Sequence, residues 1–289
     1  MAFGAFEGQI KAFHPCFGGE EGARYGRLHL PVSPRCNICC RFCSRGLGLS
    51  DNRPGVAAEL LTRSGALETV KKALWLCPDI TVVGIAGPGD PLATDDAVEV
   101  FGGVGRLYPK LIRCLSTNGL MLPRYADALK GVGVTSVTVT VNAVDSNVLK
   151  DIISAVTYDG TVYGGVRGAE ILIRNQLDGI RLASKFAVVK VNTVLIPGVN
   201  DSHIGDIAKA AALAGANMYN IIPLIPQGEF QNTPPPDCRM LAEARETAEE
   251  YLPVFKHCKR CRADACGIPG VSEYAPSLYK NATETFSHG

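Results

Sequence analysis

The chain has 289 residues, and its 29 lysines and arginines against 28 aspartates and glutamates leave a net charge of +1. This balance gives no basis for a nucleic acid or an anionic membrane as the main partner. No apolar run has the length of a membrane span, and the start, MAFGAFEGQIKAFHP, lacks the basic head and apolar middle of a signal peptide. We therefore expect a cytoplasmic protein, whose eleven cysteines are reduced thiols, metal ligands or catalytic groups rather than a disulfide framework.

From about residue 27 onward, short β-branched segments alternate with helical patterns. In chain order, the predicted strands are RLHLPV, DITVVGIAG, LIRCLST, VTSVTVTVN, KFAVVKVNTVLI, ANMYNIIPL and a weaker PVFKH. The predicted helices are SGALETVKKALWLC, PRYADALKG, GAEILIRNQLDGIRLAS, DSHIGDIAKAAALAG and DCRMLAEARETAEEYL. This alternation predicts parallel pairing, because each crossover helix returns the chain to the same end of the sheet.

The predicted fold class is α/β: a (βα)8-type TIM barrel, complete or nearly so, in a single domain over residues 1–289. The barrel occupies residues 27–252, and the N-terminal (1–26) and C-terminal (253–289) extensions carry further candidate ligands. An open doubly wound sheet is the alternative architecture. In a barrel we expect the reactive groups in the loops at the carboxyl ends of the strands.

The segment SPRCNICCRFCSRG follows the first predicted strand and contains four cysteines. Cys36, Cys40 and Cys43 have the spacing Cys-x3-Cys-x2-Cys, whereas structural zinc usually takes two well-separated pairs of ligands. Three thiolates in one loop suit three corners of a 4Fe–4S cluster and leave the fourth iron free for the amine and carboxylate of an amino acid. Cys39 lies off this pattern and is interpreted as a spare thiol or core residue.

The string CNICCRFC, with Phe42 before its last cysteine, resembles the signature of the radical S-adenosylmethionine (SAM) enzymes. The resemblance implies that Cys36, Cys40 and Cys43 hold a catalytic 4Fe–4S cluster, which reduces the sulfonium of SAM and releases a 5′-deoxyadenosyl radical. A zinc knuckle or a group of buried cysteines is the alternative.

Small polar residues and glycines follow several predicted strands. In the radical SAM enzymes, a glycine-rich segment at the position of GIAGPGDPL lines the site for the methionine amine. Asparagine and threonine side chains at strand ends can hydrogen-bond to ribose or to the amino-acid part of SAM, although each can equally form a turn or cap a helix. The residues predicted to bind SAM are Gly87, Gly89, Asp90, Thr117, Asn118, Asn142 and Asn192.

Both ends of the chain contain further possible ligands. Cys258 and Cys261 form a Cys-x2-Cys pair, which is a strong metal signal when a partner exists elsewhere. A lone cysteine or histidine is more often a buried side chain. Taken together, however, the following residues indicate ligands for two more clusters: His14, Cys16, His29, Cys114, His257, Cys258, Cys261 and Cys266.

Segments over nearly the whole chain resemble the nitrogenase-cofactor maturase family NifB; they include HPCFGG, NRPGV, LSTNGL, VTVTVNAVD, VNTVLIPGVND, NIIPLIPQGEF and CKRCRADACG. The resemblance implies that two 4Fe–4S substrate clusters are fused, with a SAM-derived carbide and an added sulfur, into the 8Fe precursor of the nitrogenase cofactor. It places one substrate cluster at Cys16, His29 and Cys114, and the other at Cys258 and Cys261. His29 is expected to be a labile ligand.

The chain departs from the family pattern in SRGLGLSD, which lacks the usual cysteine and has Asp51 near the acidic position, as a candidate metal ligand. Cys266 stands where a residue that is not a ligand is expected, and we interpret it as idle. Because many homologues carry a C-terminal carrier domain for which this chain ends too soon, the product is expected to pass to separate carrier or scaffold proteins. The resemblance also implies donor proteins for iron–sulfur clusters and for electrons.

The implied reaction is a polar methyl transfer to a cluster sulfide, followed by hydrogen abstraction by the radical from a second SAM. No acid or base role is assigned to Glu229 or Asp90, which follow strands. Three alternatives remain: another radical SAM enzyme with auxiliary clusters that acts on a peptide or small molecule, an iron–sulfur electron carrier, and a zinc-stabilised binding protein.

Overall fold

The computed structural model describes residue 8, residues 10–43 and residues 53–280. Its strands are β1 (Gly26–His29), β2 (Ile38–Cys40), β3 (Ile80–Ile85), β4 (Ile112–Thr117), β5 (Val134–Thr140), β6 (Ile153–Tyr158), β7 (Thr161–Tyr163), β8 (Val188–Leu195), β9 (Met218–Pro223) and β10 (Cys266–Gly267). Its α-helices span Gly19–Gly22, Arg63–Leu76, Asp96–Leu107, Leu122–Gly131, Ser146–Leu149, Gly165–Ala183, Ile204–Ala214, Cys238–Glu249 and Ala275–Leu278. Two single turns of 3-10 helix span Asp201–His203 and Gly228–Phe230.

Six of these strands form a curled parallel sheet in the order β1-β3-β4-β5-β8-β9. They follow one another in chain order, without the reversal that defines a doubly wound sheet. The short strand β10 adds antiparallel to β1 at one edge. Among the described residues, the predicted barrel is therefore confirmed as a partial one, with six parallel strands between the edges β10 and β9.

Each of the six longer predicted strands is present in the structure. The weaker segment PVFKH contributes only a single bridge, between Val254 and Tyr219. Helix Asp96–Leu107 is absent from the predicted elements, because the glycines in its sequence DAVEVFGGVGRL lower its helix propensity. It forms nevertheless, since its face with Val100, Phe101 and Val104 is buried in the core.

The main core lies between the sheet and the helices that cover it. Leu115, Val137 and Val189 from neighbouring strands are fully buried in this core. Alternate residues of the same strands point the other way, into the barrel. The concave side of the sheet therefore carries the less apolar side chains, and this is where the cavities lie.

The two extensions close the barrel from different sides. In the N-terminal segment, Ile10 and Phe17 pack against residues near the starts of three parallel strands, Val82, Ile112 and Val188. The C-terminal tail returns along β1 through β10. Both extensions thus bring their cysteines back to the barrel, as their candidate role requires.

The C-terminal tail contains a buried ion pair that also accepts a hydrogen bond from another part of the chain. Nε and Nη2 of Arg262 lie 2.8 and 2.9 Å from the carboxylate oxygens of Asp264, and both side chains are 1% exposed. The same carboxylate accepts a hydrogen bond from the backbone N–H of Ala58 at 2.7 Å. The ion pair lies within the tail, and the hydrogen bond from Ala58 joins the tail to the chain before helix Arg63–Leu76. Removing one member of the pair would leave a buried uncompensated charge.

A second sheet supports the cysteine cluster. It is antiparallel, with the order β2-β6-β7, and it pairs Cys39 with Ala155. Because β2 lies between Cys36 and Cys43, its pairing gives the cluster loop a rigid base. No helix in the described part of the chain is both long and apolar enough to cross a membrane.

Candidate active site

The first cavity lies at the carboxyl ends of the parallel strands, against the cysteine loop. Its walls include all three cysteines of the Cys-x3-Cys-x2-Cys motif: Cys36, Cys40 and Cys43. Most residues predicted to bind SAM line the same cavity, namely Gly89, Asp90, Thr117, Asn118 and Asn142. The structure therefore brings the predicted cluster ligands and most of the predicted SAM residues together.

Asn118 connects the cysteine loop to the end of β4. Its Nδ2 lies 2.6 Å from Oδ1 of Asn37 and 3.8 Å from Sγ of Cys36. Its Oδ1 accepts the backbone N–H of Leu120 at 2.9 Å. Asn118 is therefore fixed at both ends of its amide, and it can hold Cys36 in place for a cluster.

Gln176, which is missing from the predicted site, also lines the first cavity. Its Nε2 donates to the carbonyl oxygens of Asn118 and Thr140, at 2.9 and 2.8 Å. Its Oε1 is buried and has no partner among the described residues. An unpaired buried acceptor fits a ligand that donates a hydrogen bond, as the amine of SAM does. One glutamine in an amphipathic helix gives no signal of this kind in the sequence.

Asp90 joins the loop after β3 to the end of β4. Its buried carboxylate accepts from Oγ1 of Thr117 at 2.9 and 3.0 Å, and from the backbone N–H groups of Asn118 and Leu92 at 2.6 and 2.9 Å. Burial raises the pKa of Asp90, while the hydrogen bonds from Asn118, Leu92 and Thr117 oppose the rise. With its oxygens occupied by protein donors, Asp90 shapes the cavity wall.

Asp90→Asn is expected to lower the free energy of unfolding by about 2 kcal/mol. The amide NH2 of asparagine would face a backbone N–H group that now donates to the carboxylate, and that N–H group would lose its acceptor. Chemical denaturation followed by circular dichroism measures this change. Asp127→Asn, on the exposed face of a helix, is the matched control. If the two variants were equally stable, the structural role of Asp90 would be wrong.

Gly89 allows the loop after β3 to touch the cysteine loop. A Cβ at this position would lie 1.9 Å from the carbonyl oxygen of Arg35, and the Gly89 N–H donates to the carbonyl oxygen of Ser33 at 2.7 Å. Only glycine permits so close an approach. Gly87, also predicted to bind SAM, lies instead against Gly55 and Ala263.

A second cavity, the inner cavity, lies between the N-terminal segment, the parallel strands and the C-terminal tail. Cys114, the third residue of β4, lies well before the end of that strand. The inner cavity therefore extends deeper into the barrel than the strand ends where we expected all the reactive groups. It is lined by six of the candidate ligands, which come from four distant parts of the chain: His14, Cys16, His29, Cys114, Cys258 and Cys261.

A third cavity lies between the other two and shares wall residues with both. Ala86 and Ser116 line all three cavities, and Cys43 lines the first and the third. Asn192, which we expected at the SAM site, lines the inner and third cavities. Its Oδ1 accepts from Nδ2 of Asn220 at 3.1 Å. The cysteine loop and the inner ligands thus face neighbouring parts of one connected interior.

The structure presents His29 as a neutral imidazole. Its Nδ1 lies 2.7 Å from the carbonyl oxygen of Arg262. Burial and the nearby Arg27 lower the pKa of His29 to about 4, against opposing effects of Arg262 and Asp264. A neutral imidazole whose Nδ1–H is held by a carbonyl has Nε2 available, which is the usual arrangement of a metal-bound histidine.

Two buried cations beside the inner cavity are missing from the predicted site. Nζ of Lys190 donates to the carbonyl oxygen of Cys16 at 3.1 Å and lies 4.4 Å from the ring centroid of Phe17. Nη2 of Arg27 lies 3.4 Å from Sγ of Cys261 and 3.3 Å from Oε2 of Glu273. Such cations favour thiolates and anionic clusters. For Lys190 the sequence does contain a signal, because a lysine within the largely apolar strand VVKVNTVL is rarely buried without a partner.

The surroundings of Cys16 and Cys114 favour the neutral thiol over the thiolate when no metal is bound. Burial and the neighbouring thiols raise the pKa of Cys16 to about 12, although Lys190 opposes the rise. Burial likewise raises the pKa of Cys114, against Ser136 and Lys190. Because iron binds thiolates, loading of these sites must release protons.

The remaining candidates fall outside this arrangement. Cys39 is exposed on β2, and Cys266 is buried in β10, where it pairs with Leu28. His257 is exposed and stacks edge-on against Phe255. Glu229 pairs with Arg41 on the cysteine loop, which explains its position without acid–base chemistry. Asp51 lies outside the described residues.

The cysteines form neither disulfides nor a single-ion site. All eleven are described, and all are free thiols. Within the described ranges, no three His, Cys, Asp or Glu side chains meet closely enough to hold one metal ion. In a 4Fe–4S cluster each thiolate binds a different iron, so the ligands stand farther apart than around one zinc ion. The cysteine-lined cavities fit a cluster better.

Solved structures with a similar fold include SuiB of Streptococcus suis bound to S-adenosylmethionine, with a TM-score of 0.59 at 13% identity over 79% of this chain and 49% of that chain. Methylornithine synthase matches with a TM-score of 0.53 at 15% identity, over 87% of this chain and 68% of that chain. At such low identity these similarities concern the fold alone.

Residues 30–211 match the family model of the Radical SAM superfamily. The chain is 46% identical to the FeMo cofactor biosynthesis protein NifB of Methanocaldococcus jannaschii over 262 residues, which are 90% of this chain and 87% of that protein. It is 42% identical to the protein of the same name from Methanocaldococcus infernus over 278 residues, 95% of this chain and 91% of that protein. The chain therefore belongs to the Radical SAM superfamily and, within it, to the NifB family.

Proposed function

We propose that this chain is a radical SAM enzyme of nitrogenase cofactor biosynthesis, which fuses two 4Fe–4S substrate clusters, with a SAM-derived carbide and an added sulfur, into an 8Fe precursor. The names of its relatives support the pathway. The observation that carries the proposal is the inner cavity, where thiols and an imidazole from four parts of the chain meet beside the cysteine loop.

Cys36, Cys40 and Cys43 are the proposed ligands of the resident 4Fe–4S cluster. When bound, this cluster supplies the electron that cleaves SAM to methionine and a 5′-deoxyadenosyl radical. Around it, Asn118 holds Cys36 through its hydrogen bond, and Asp90 keeps the two adjoining loops together. These residues keep the site of SAM cleavage next to the third cavity, which adjoins the inner cavity.

The substrate clusters are proposed to bind in the inner cavity. Cys16, His29 and Cys114 hold one of them, and Cys258 and Cys261 hold the other. Lys190 and Arg27 place two positive charges beside these anionic substrates, in surroundings where water screens charge weakly. The weaker imidazole ligand allows the fused product to leave.

Gly84→Ala tests the position of His29. A Cβ at residue 84 would lie 2.9 Å from Cδ2 of His29, so the ring must move from its hydrogen bond to Arg262. Changes that disturb the hydrogen bond of a metal-binding histidine typically cost about 10- to 100-fold in metal affinity. We expect the affinity of the inner cavity for iron to fall by roughly this factor. Iron and sulfide analysis after anaerobic reconstitution at several iron concentrations measures it, in a chain whose Cys36, Cys40 and Cys43 are replaced by alanine.

Gly131→Ala is the control for Gly84→Ala, because a Cβ at residue 131 meets no atom within 4 Å. It should load iron like the wild type. If Gly84→Ala also retained full loading and product formation, His29 would not be a ligand.

We further propose that iron–sulfur donors, an electron donor and separate carrier or scaffold proteins act with this chain in the cytoplasm. The free state of all eleven cysteines supports a reducing compartment. The iron–sulfur product extracted from the reconstituted enzyme should restore activity to a nitrogenase that lacks its cofactor. Cleavage of SAM without any such restoration would instead favour a radical SAM enzyme that modifies a peptide or small molecule.

A further inference from the structure

The inner cavity is lined by two histidines that are hydrogen-bonded in opposite ways, and the proposed function uses only His29. At His29, Nδ1 faces the carbonyl oxygen of Arg262 at 2.7 Å. A carbonyl only accepts, so this Nδ1 carries the proton and Nε2 keeps a lone pair. At His14, Nδ1 faces the backbone nitrogen of Cys16 at 3.0 Å. A peptide N–H only donates, so Nδ1 of His14 is the acceptor and its Nε2 carries the proton.

Nε2–H of His14 is a donor with no partner in the described part of the chain. His14 is only 2% exposed and lines the inner cavity. A buried N–H group without an acceptor costs free energy, so such groups are rarely left unpaired in folded proteins. A ligand of the inner cavity that presents acceptor atoms would remove this cost, and an anionic iron–sulfur cluster presents sulfur acceptors.

The surroundings of His14 exclude it as an iron ligand. Ligation through Nε2 requires the proton on Nδ1, where it would meet the N–H of Cys16. The Cys16 peptide cannot easily turn away, because Nζ of Lys190 holds its carbonyl oxygen at 3.1 Å. The His14 ring is also packed edge-on against Phe17, with 4.6 Å between the ring centroids. The two histidines are therefore suited to different tasks.

We propose that His14 binds the substrate cluster at Cys16 by donating a hydrogen bond from Nε2 to one of its sulfur atoms, while His29 ligates iron. This inference rests on the proposed function, since it requires a cluster in the inner cavity. Hydrogen bonds to cluster sulfurs raise the reduction potential, because they stabilise the more negative reduced state. They also withdraw electron density from the sulfur that accepts them. His14 thus distinguishes one sulfur of the substrate from the others.

Two amide variants separate the donor from a structural role. Asn in place of His14 retains an oxygen near the position of Nδ1, which can accept the Cys16 N–H, but its side chain ends before Nε2. Gln is longer, and its amide NH2 reaches the position of Nε2. His14→Asn therefore keeps the structural bond and loses the donor, whereas His14→Gln restores the donor.

The test is a redox titration followed by electron paramagnetic resonance. Both variants and the parent chain are made with Cys36, Cys40 and Cys43 replaced by alanine, so that only clusters in the inner cavity contribute. Each is reconstituted with iron and sulfide. In His14→Asn we expect the ratio of reduced to oxidised cluster at a given potential to fall about tenfold, a shift of about 59 mV for one electron. His14→Gln should recover most of the shift.

The outcomes separate this inference from the proposed function. Failure of the parent chain to load any cluster in the inner cavity would overturn both. A loaded parent whose potential equals that of His14→Asn would overturn the role of His14 alone. If His14→Asn lost its cluster, recovery of loading in His14→Gln would support the donor, and equal loss in both variants would contradict it.

Discussion

Replacement of Cys36 by serine is expected to reduce the formation of 5′-deoxyadenosine from SAM by more than about 100-fold. Loss of a residue that merely supports a metal ligand commonly costs about 10- to 100-fold in metal affinity. Removal of the ligand itself must cost more, because only three thiolates from this loop line the first cavity. Chromatographic quantification of 5′-deoxyadenosine after reduction with dithionite measures the effect.

Cys39→Ser is the matched control for this variant, since Cys39 belongs to the same loop but is exposed on β2. It should cleave SAM at the rate of the wild type. Loss of activity in both variants would point to damage to the loop rather than to a lost ligand. Full activity of Cys36→Ser would remove the basis for assigning the cluster to this loop.

Cys114→Ala should have the opposite pattern: SAM is still cleaved, but the precursor is no longer made. Cys114 lines the inner cavity, and the first cavity has its own thiols. We expect the yield of precursor to fall by more than about 100-fold, because the substrate cluster loses a direct ligand. The two readouts are 5′-deoxyadenosine and the activity that the extracted product restores to a cofactor-free nitrogenase.

Cys238→Ser controls for general effects of cysteine replacement, because Cys238 is exposed at the start of a helix. It should change neither readout. If Cys114→Ala lost both cleavage and precursor formation together, the division into a cleavage cavity and a substrate cavity would be wrong.

The strands and the three-cysteine motif that lines the first cavity could be predicted from the sequence because each leaves a local signal. β-branched runs identify β3, β5 and β8, and the spacing of Cys36, Cys40 and Cys43 is complete within one loop. Helix Asp96–Leu107 was missed because its burial, not its propensity, stabilises it. Among the described residues the barrel has six parallel strands, and β2, β6 and β7 form a separate small sheet that was not predicted from the sequence.

Other features of the site depend on contacts between distant residues. The depth of Cys114, the buried charges of Lys190 and Arg27, and the free oxygen of Gln176 appear only when the strands and the tail are assembled. The tautomer of His14 is determined by the hydrogen bond from the Cys16 N–H to Nδ1, and composition and spacing do not reveal this bond. Sequence patterns indicate which residue types can bind a cluster. The contacts in the folded chain determine which atom of each side chain is available to it.

The most direct test of the proposed function follows the methyl carbon of SAM. Reconstituted enzyme is incubated with SAM that carries a labelled methyl group, and the iron–sulfur product is extracted under anaerobic conditions. We predict that the label is retained within the metal cluster and that this fraction restores a cofactor-free nitrogenase. Formation of 5′-deoxyadenosine while the extracted cluster remains unlabelled would contradict the proposal.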